Sequence, residues 1–222
     1  MTEPRTRLAL LTPRLIGDAQ ADALVEAIGR AIASLDVAAI VLRLAPSDER
    51  SLVGLVKRIA PAAAEKGAAV VVACPDFSGD LVSVAARGGA DGVHIDRAPE
   101  GLFKDLRGRL KDGRILGAGG LESKHPAMEA GEAGVDYVMF GGLYPDGVAP
   151  DPETVLARTE WWAEIFETPC IAVAATLDEI APLAATGCEF VGLEASLWME
   201  DGADLDAVQA RLAEAASPEA GR

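Results

Sequence analysis

Gly89-Ala90-Asp91-Gly92-Val93 recurs twice along the chain, as Gly134-Val135-Asp136-Tyr137-Val138 and as Gly187-Cys188-Glu189-Phe190-Val191. Each copy closes an Ala-rich stretch of helical character and opens an apolar run of strand character. From Gly89 to Gly134 is 45 residues, and from Gly134 to Gly187 is 53. A weaker copy, Asp36-Val37-Ala38-Ala39-Ile40, starts 53 residues before Gly89. A period of about 50 residues is too long for one strand-plus-helix unit and suits two of them. Four copies therefore predict eight strands, the number of an α/β TIM barrel, (β/α)8, whose sites lie at the C-terminal ends of the strands.

The rest of the chain fits that frame. Arg7 to Thr12 reads as the first strand, and Val37 to Leu44 as the second. Between them, Leu24, Ile28 and Ile32 fall at helical spacing and predict a helix over Asp18 to Ser34, with Asp18 as its cap. A second helix opens at Ser47 and runs through Leu52, Leu55, Val56 and Ile59. Ala68 to Ala73 is an uninterrupted apolar run, as expected of a parallel strand covered on both faces. The alternation continues with a helix over Asp80 to Arg87, a strand over Gly92 to Ile95, a helix over Leu102 to Leu110 and a strand over Arg114 to Ala118. Next come a helix over Glu122 to Ala133, a strand over Tyr137 to Phe140 and a helix over Pro152 to Phe166. A strand over Cys170 to Ala174, a helix over Leu177 to Ala185, a strand over Val191 to Leu193 and a helix over Leu205 to Ala215 complete the ring. Ser217 to Arg222 reads as a frayed tail. No linker divides the chain, so one domain over 1–222 is expected, with its core at about 7–215.

Composition narrows the function. Half of the 222 residues are apolar, enough for a sizeable core, yet every apolar stretch is too short to span a bilayer. The N-terminus leads straight into a strand with no signal-like apolar region. Cys74, Cys170 and Cys188 are odd in number and lie in or beside strands, so buried free thiols in a reducing cytoplasm are expected. A net charge of −15 argues against a nucleic-acid binder, which needs a basic face. It also means that any phosphate must be held by a local site, because the overall field repels anions. The expected partner is a small molecule, with neither nucleic acid nor membrane; a homo-oligomer stays open.

Two loops at strand C-termini are rich in Gly, Pro and Asp, 75–80 and 141–150. Asp76, Asp80, Asp96 and Glu100 offer oxygen ligands for Mg2+. Arg43 ends the second strand and suits a phosphate, since guanidinium pairs bidentately with oxyanions; a structural pair with Glu194 is the alternative. Arg14 is a second cation on that face. His94 reads either as a ligand-facing imidazole with Asp96 beside it, or as a hydrogen-bonded histidine that shapes the mouth. With Glu194 it is also the candidate acid–base pair of a changed enzyme. His125 reads as a surface residue near a helix start. Gly117-Ala118-Gly119-Gly120 could let backbone approach a ligand. Trp161, Trp162 and Trp198 read as packing residues. Paired-cysteine metal motifs, HExxH, GxSxG, GxGxxG and P-loop spacings are all absent.

Together these residues resemble the thiamine-phosphate synthase/TenI family, over nearly the whole chain from Leu8 to about Trp198. Ala90-Asp91-Gly92-Val93-His94 matches the family's ADGVHLGQ. The run from Gly134 to Pro145 (GVDYVMFGGLYP) matches GADYVxxGPIFPT. Leu116-Gly117 falls on the IG of IGxS, and Leu42-Arg43 on the LR of QLRxK. The resemblance implies a TIM barrel that joins a hydroxymethylpyrimidine diphosphate to a thiazole phosphate. Diphosphate would leave with Mg2+ assistance, and the protein's part would be positioning and anion stabilisation. It implies Arg43, Gly117, Gly119, Gly141, Gly142, Ala174 and Ala175 as substrate-binding positions, and Asp76, Asp80 and Asp96 as the residues left near the metal positions.

The chain departs from that pattern where charge is handled. The Gln and Lys of QLRxK are Val41 and Ala45, and the Asn-Asp pair after the third strand is Ala73-Cys74. The Ser of IGxS is Gly119, and the Lys after the sixth strand is Ala149. The Gly-Gly after the seventh strand is Ala174-Ala175, and the Ser after the eighth is Ala195. Each lost bond to a charged group is worth roughly 1.5–3 kcal/mol, so the departures argue against ordinary synthase activity. Three readings stay open: an enzyme of thiamine or related heterocycle-phosphate metabolism, a non-catalytic binding or regulatory barrel of the same pathway, and an enzyme with a different, less anionic substrate.

Overall fold

The eight apolar runs pair in chain order into one closed parallel sheet, with the last strand hydrogen-bonded to the first. The computed structural model describes residues 6–110, 113–142, 148–199 and 203–215. The strands are β1 (Arg7–Leu11), β2 (Val37–Arg43), β3 (Ala69–Ala73), β4 (Gly92–Asp96), β5 (Ile115–Gly119), β6 (Tyr137–Phe140), β7 (Cys170–Ala174) and β8 (Phe190–Leu193). The helices on the outside are α1 (Ala21–Ser34), α2 (Glu49–Ala64), α3 (Leu81–Gly88), α4 (Leu102–Arg109), α5 (Lys124–Glu132), α6 (Pro152–Ile165), α7 (Leu177–Ala185) and α8 (Leu205–Ala215). The expected TIM barrel is present, with most element ends within two residues of their sequence positions. The tail at 217–222 and part of the long loop, 143–147, lie outside the described residues.

The repeated phrase is a device for joining helix to strand at the bottom of the barrel. Gly89, Gly134 and Gly187 take φ of +83°, +80° and +85°, the left-handed turn that ends a helix at no steric cost. Two residues later an acid reaches back to the opening of the preceding strand. Asp91 accepts from the Val70 amide at 2.7 Å, Asp136 from the Leu116 amide at 2.7 Å, and Glu189 from the Cys170 amide at 2.9 Å. A carboxylate thus meets an N–H that would otherwise lack a partner at the sheet's rim. The weaker copy lacks the glycine, and Asp36 instead accepts from Arg7 Nε at 3.0 Å.

Alternation within the strands makes two cores. Outward residues such as Leu10, Leu42, Val72, Val138 and Ala172 pack against the helices, together with buried Leu24, Ile28, Val56 and Trp162. Inward residues, among them Leu11, Val41, Val71, Tyr137, Met139 and Val173, fill the barrel. Two expectations about caps are corrected. Asp18 does not cap α1; it lies in a short 3-10 turn, and its carboxylate pairs with Arg58 at 3.0 Å. The second helix starts at Glu49 rather than Ser47, because Asp48 is its cap and accepts from the Ser51 amide at 3.0 Å. The three cysteines are buried free thiols. Trp162 and Trp198 are buried, with indole N–H groups donating to the Thr168 and Leu11 carbonyls. Among the described residues, no helix is long and apolar enough to cross a membrane.

Candidate functional site

The C-terminal end of β2 delivers Arg43 to the barrel mouth, and the turn after β8 delivers Glu194 opposite it. The two form a fork: Arg43 Nη1 donates to Glu194 Oε1 at 3.1 Å and Nη2 to Oε2 at 2.7 Å. Arg43 Nε donates to the Thr12 carbonyl at 2.5 Å, and the Arg43 amide donates to Thr12 Oγ1 at 2.9 Å. Glu194 is held by its own amide, which donates to the Ala174 carbonyl at 3.1 Å. The side chains are 12% and 14% exposed, so the pair is shielded from water and tightly coupled. Of the two roles open to Arg43, the structure therefore displays the structural pair, and the donor face that suits phosphate is turned to a carboxylate.

His94 lies one layer down. Its ring stacks on Tyr137 at 5.6 Å between centroids, and its Nδ1 is 2.8 Å from Tyr137 Oη. Its Nε2 is 3.2 Å from Asp96 Oδ1. Both ring nitrogens are thereby hydrogen-bonded, Nδ1 with the Tyr137 hydroxyl and Nε2 with the Asp96 carboxylate. The His94 side chain has no exposed surface, and Asp96 is the member of the trio that reaches the opening. Burial opposes ionisation of Asp96, but His94, then Arg43 and Arg14, outweigh it and hold the carboxyl below its ordinary range. Burial, with Asp96 and Asp136 nearby, pushes the Tyr137 hydroxyl well above its usual value, so it stays a donor.

The glycines of β5 make this buried chain fit. A Cβ on Gly117 would sit 2.1 Å from the Tyr137 ring, and one on Gly119 would sit 2.3 Å from Asp96 and 2.4 Å from His94. The space left open by both residues is thus taken by side chains of β4 and β6, not by an approaching ligand. The Ala174 side chain likewise packs in the core between sheet and helices.

The carboxylates proposed for Mg2+ do not converge. Asp80 caps α3, accepting from the Val82 amide at 3.1 Å, and pairs with Arg109 at 2.6 Å. Glu100 lies in a groove of about 680 Å³ on the outer flank, between the loops after β4 and β5. Asp76 and Asp96 do border one cavity, but Arg14 and Arg43 border it too, and its volume is about 30 Å³. Among the described residues, no group of three or more His, Cys, Asp or Glu is placed to hold a metal ion. The residues present therefore do not fit Mg2+.

A roomier cavity of about 340 Å³ opens between the ends of β6, β7 and β8. Gly141 and Gly142, at φ of +91° and +74°, border it together with Val173, Ala175 and Glu194. Glu179 also borders it; its Oε2 accepts from the Ala175 amide at 2.8 Å and its Oε1 from Thr176 Oγ1 at 3.0 Å. Of the residues singled out in the sequence, Gly141, Gly142, Ala175 and Glu194 border this one cavity, whereas Thr12, Tyr137 and Glu179 were not singled out. Thr176 followed three residues later by Glu179 is a capping-box signal that could have found the last of these. His125 is on the surface beside Glu129 at 3.3 Å.

A closed parallel barrel of eight strands with helices outside it and two cavities at its C-terminal mouth is a TIM barrel. The model of one family, thiamine monophosphate synthase, matches residues 11–196. The chain is 34% identical over 218 residues to the thiamine-phosphate synthase of Hyphomonas neptunium, covering 93% of this chain and 92% of that one. It is 32% identical over 198 residues to the thiamine-phosphate synthase of Rhodospirillum centenum, covering 86% and 89%. The thiamine phosphate pyrophosphorylase of Pyrococcus furiosus superposes with a TM-score of 0.72 at 20% identity, over 98% of this chain and all of that one. The chain belongs to the thiamine monophosphate synthase family.

Proposed function

We propose that the protein is a thiamine-phosphate synthase-like barrel, cytoplasmic, that binds a small heterocyclic molecule of thiamine biosynthesis at its mouth. We further infer that Mg2+-assisted joining of a pyrimidine diphosphate to a thiazole phosphate is weak in it or lost. One observation carries the second part: the bidentate Arg43–Glu194 pair. Coupling by loss of diphosphate needs free cationic donors where the leaving charge gathers. Here the fork of Arg43 already meets a carboxylate, and the cavity beside it has room for about one water molecule. Asp76 and Asp96 border the same cavity and would repel a diphosphate there.

A second reading, retained coupling, is favoured by the meeting of Asp76 and Asp96 with Arg14 and Arg43 around that cavity. It requires Arg43 to exchange Glu194 for diphosphate, and Asp76 and Asp96 to move onto a metal. The deciding experiment is diphosphate release from the two substrates with Mg2+, beside a synthase that retains the full motif set. No turnover by folded protein supports the binding reading. Turnover that Arg43→Ala abolishes would establish the coupling reading instead.

A further inference from the structure

Leu15, in the turn after β1, holds a backbone conformation that its residue type disfavours. Its φ is +60°, in the left-handed region where a bulky side chain is strained. Nine of the eleven described residues at positive φ are glycines, so elsewhere the chain meets this demand by leaving the side chain out. The other exception is Arg97 at φ +49°, after β4, whose guanidinium pairs with Glu122. Leu15 makes no comparable contribution to the fold: its side chain is 55% exposed and belongs to neither core. An exposed leucine alone is ordinary, but one kept in a strained turn is not. The turn is held from both sides. Before it, the Thr12 amide donates to the Val41 carbonyl at 3.1 Å. After it, the Ile16 amide donates to the Arg43 carbonyl at 2.9 Å, and the Ala45 amide to the Ile16 carbonyl at 2.9 Å. Both flanks are thereby fixed to the end of β2, and they impose the conformation on the residue between them.

Leu15 borders the polar cavity at the mouth, beside Arg14, Arg43, Asp76 and Asp96. A cavity of about 30 Å³ admits a group of water size and no ring. A heterocycle held here therefore lies across the rim, with only a small substituent inside. We propose that Leu15 is a ligand-contacting residue whose side chain covers one face of that ring. The strained turn then has a physical reason: glycine suits the backbone but offers the ring no apolar surface. Under the ring, the leucine side chain leaves water, and so contributes to binding what it does not contribute to folding. This inference rests on the proposed reading that the mouth holds a small heterocycle of thiamine biosynthesis.

The test compares the full chain with Leu15→Gly, Leu15→Asn and Leu15→Met, by thermal unfolding and by calorimetric titration with hydroxymethylpyrimidine and with hydroxyethylthiazole. Leu15→Gly relieves the strain, so its melting midpoint should equal that of the wild type or exceed it by up to about 4 °C. The same variant should bind whichever ring the wild type binds on the order of tenfold more weakly. Leu15→Asn tolerates the left-handed turn but is polar, and should weaken binding to a similar extent. Leu15→Met keeps the apolar surface and should bind within about threefold of the wild type. Stability kept while affinity falls is the signature of a contact residue; a residue that serves the fold loses both. A lower midpoint in Leu15→Gly overturns the inference. Wild-type affinity in Leu15→Gly or Leu15→Asn also overturns it, and leaves the heterocycle reading standing. Failure of the wild type to bind either ring overturns that reading, and the inference with it.

Discussion

The two ends of this barrel handle charge in opposite ways. At the bottom, one solution is used three times: a left-handed glycine ends a helix, and an acid two residues on caps the preceding strand. At the top, the pairings differ from one another: Arg43 with Glu194, His94 with Tyr137 and Asp96, Glu179 with the start of α7. The bottom is a repeating structural joint. The top is a set of single pairings, and most of its charge is answered by the chain itself. Regularity marks the end that makes the fold, and irregularity the end where a ligand can be distinguished.

The largest effect that could break this contrast is expected at the top. Glu194→Ala leaves Arg43 mostly buried without its partner and should cost about 3–5 kcal/mol in denaturant unfolding. Arg43→Met combined with Glu194→Leu should recover most of that loss, because no charge is then stranded. A cost for Glu194→Ala below about 1 kcal/mol would mean that the mouth is not committed to this pair. At the bottom, Asp136→Ala removes the acceptor for the Leu116 amide and the partner of Arg107, and should cost about 2 kcal/mol. It should leave ligand binding at the mouth unchanged. Gly89→Ala tests the same joint more gently, at about 1 kcal/mol, because only the left-handed turn is opposed.

Subtler changes sharpen the account of the top. Tyr137→Phe removes the hydroxyl donor to His94 and should cost about 1 kcal/mol while the barrel stays closed. Asp96→Asn should show its cost through pH. The folded carboxyl titrates below its ordinary value of 3.8, so the ionised form stabilises the folded state. That contribution is complete above the unfolded value and is lost as pH falls through the folded one. The stability gap between wild type and Asp96→Asn should therefore be full at neutral pH and close below about pH 4; a gap that stays constant down to about pH 2 would contradict this account. Smallest of all is the response of the thiols. Burial pushes the Cys74 and Cys188 thiols up to about 11, so labelling with a thiol reagent at pH 8 should be far slower in folded than in unfolded protein.

How much of this could be read from the sequence differs between the two ends. The bottom could be read because its device is local: glycine, acid and strand follow one another within five residues, three times over. The Glu179 cap was readable in principle on the same ground. The mouth was readable only as a set of residues. Arg43 and Glu194 are 151 positions apart, and their pairing depends on the closure of the sheet, which sets β2 and β8 on either side of β1. The sequence left Arg43 with two roles, and the structure displays one of them. The glycines of β5 looked like room for a ligand; that Tyr137, His94 and Asp96 fill that room depends on the register between β4, β5 and β6. Asp76, Asp80 and Glu100 looked alike as acids, and only their places in the fold separate a cavity wall, a helix cap and an outer groove.

The sequence by itself determined the barrel, its strand count and the end at which to look, because periodicity and turn chemistry act over a few residues. Tertiary structure alone decided which charges remain available to a ligand. Ring closure places residues far apart in the chain within hydrogen-bonding distance, and at that distance a partner's charge and the loss of water outweigh what either side chain prefers alone.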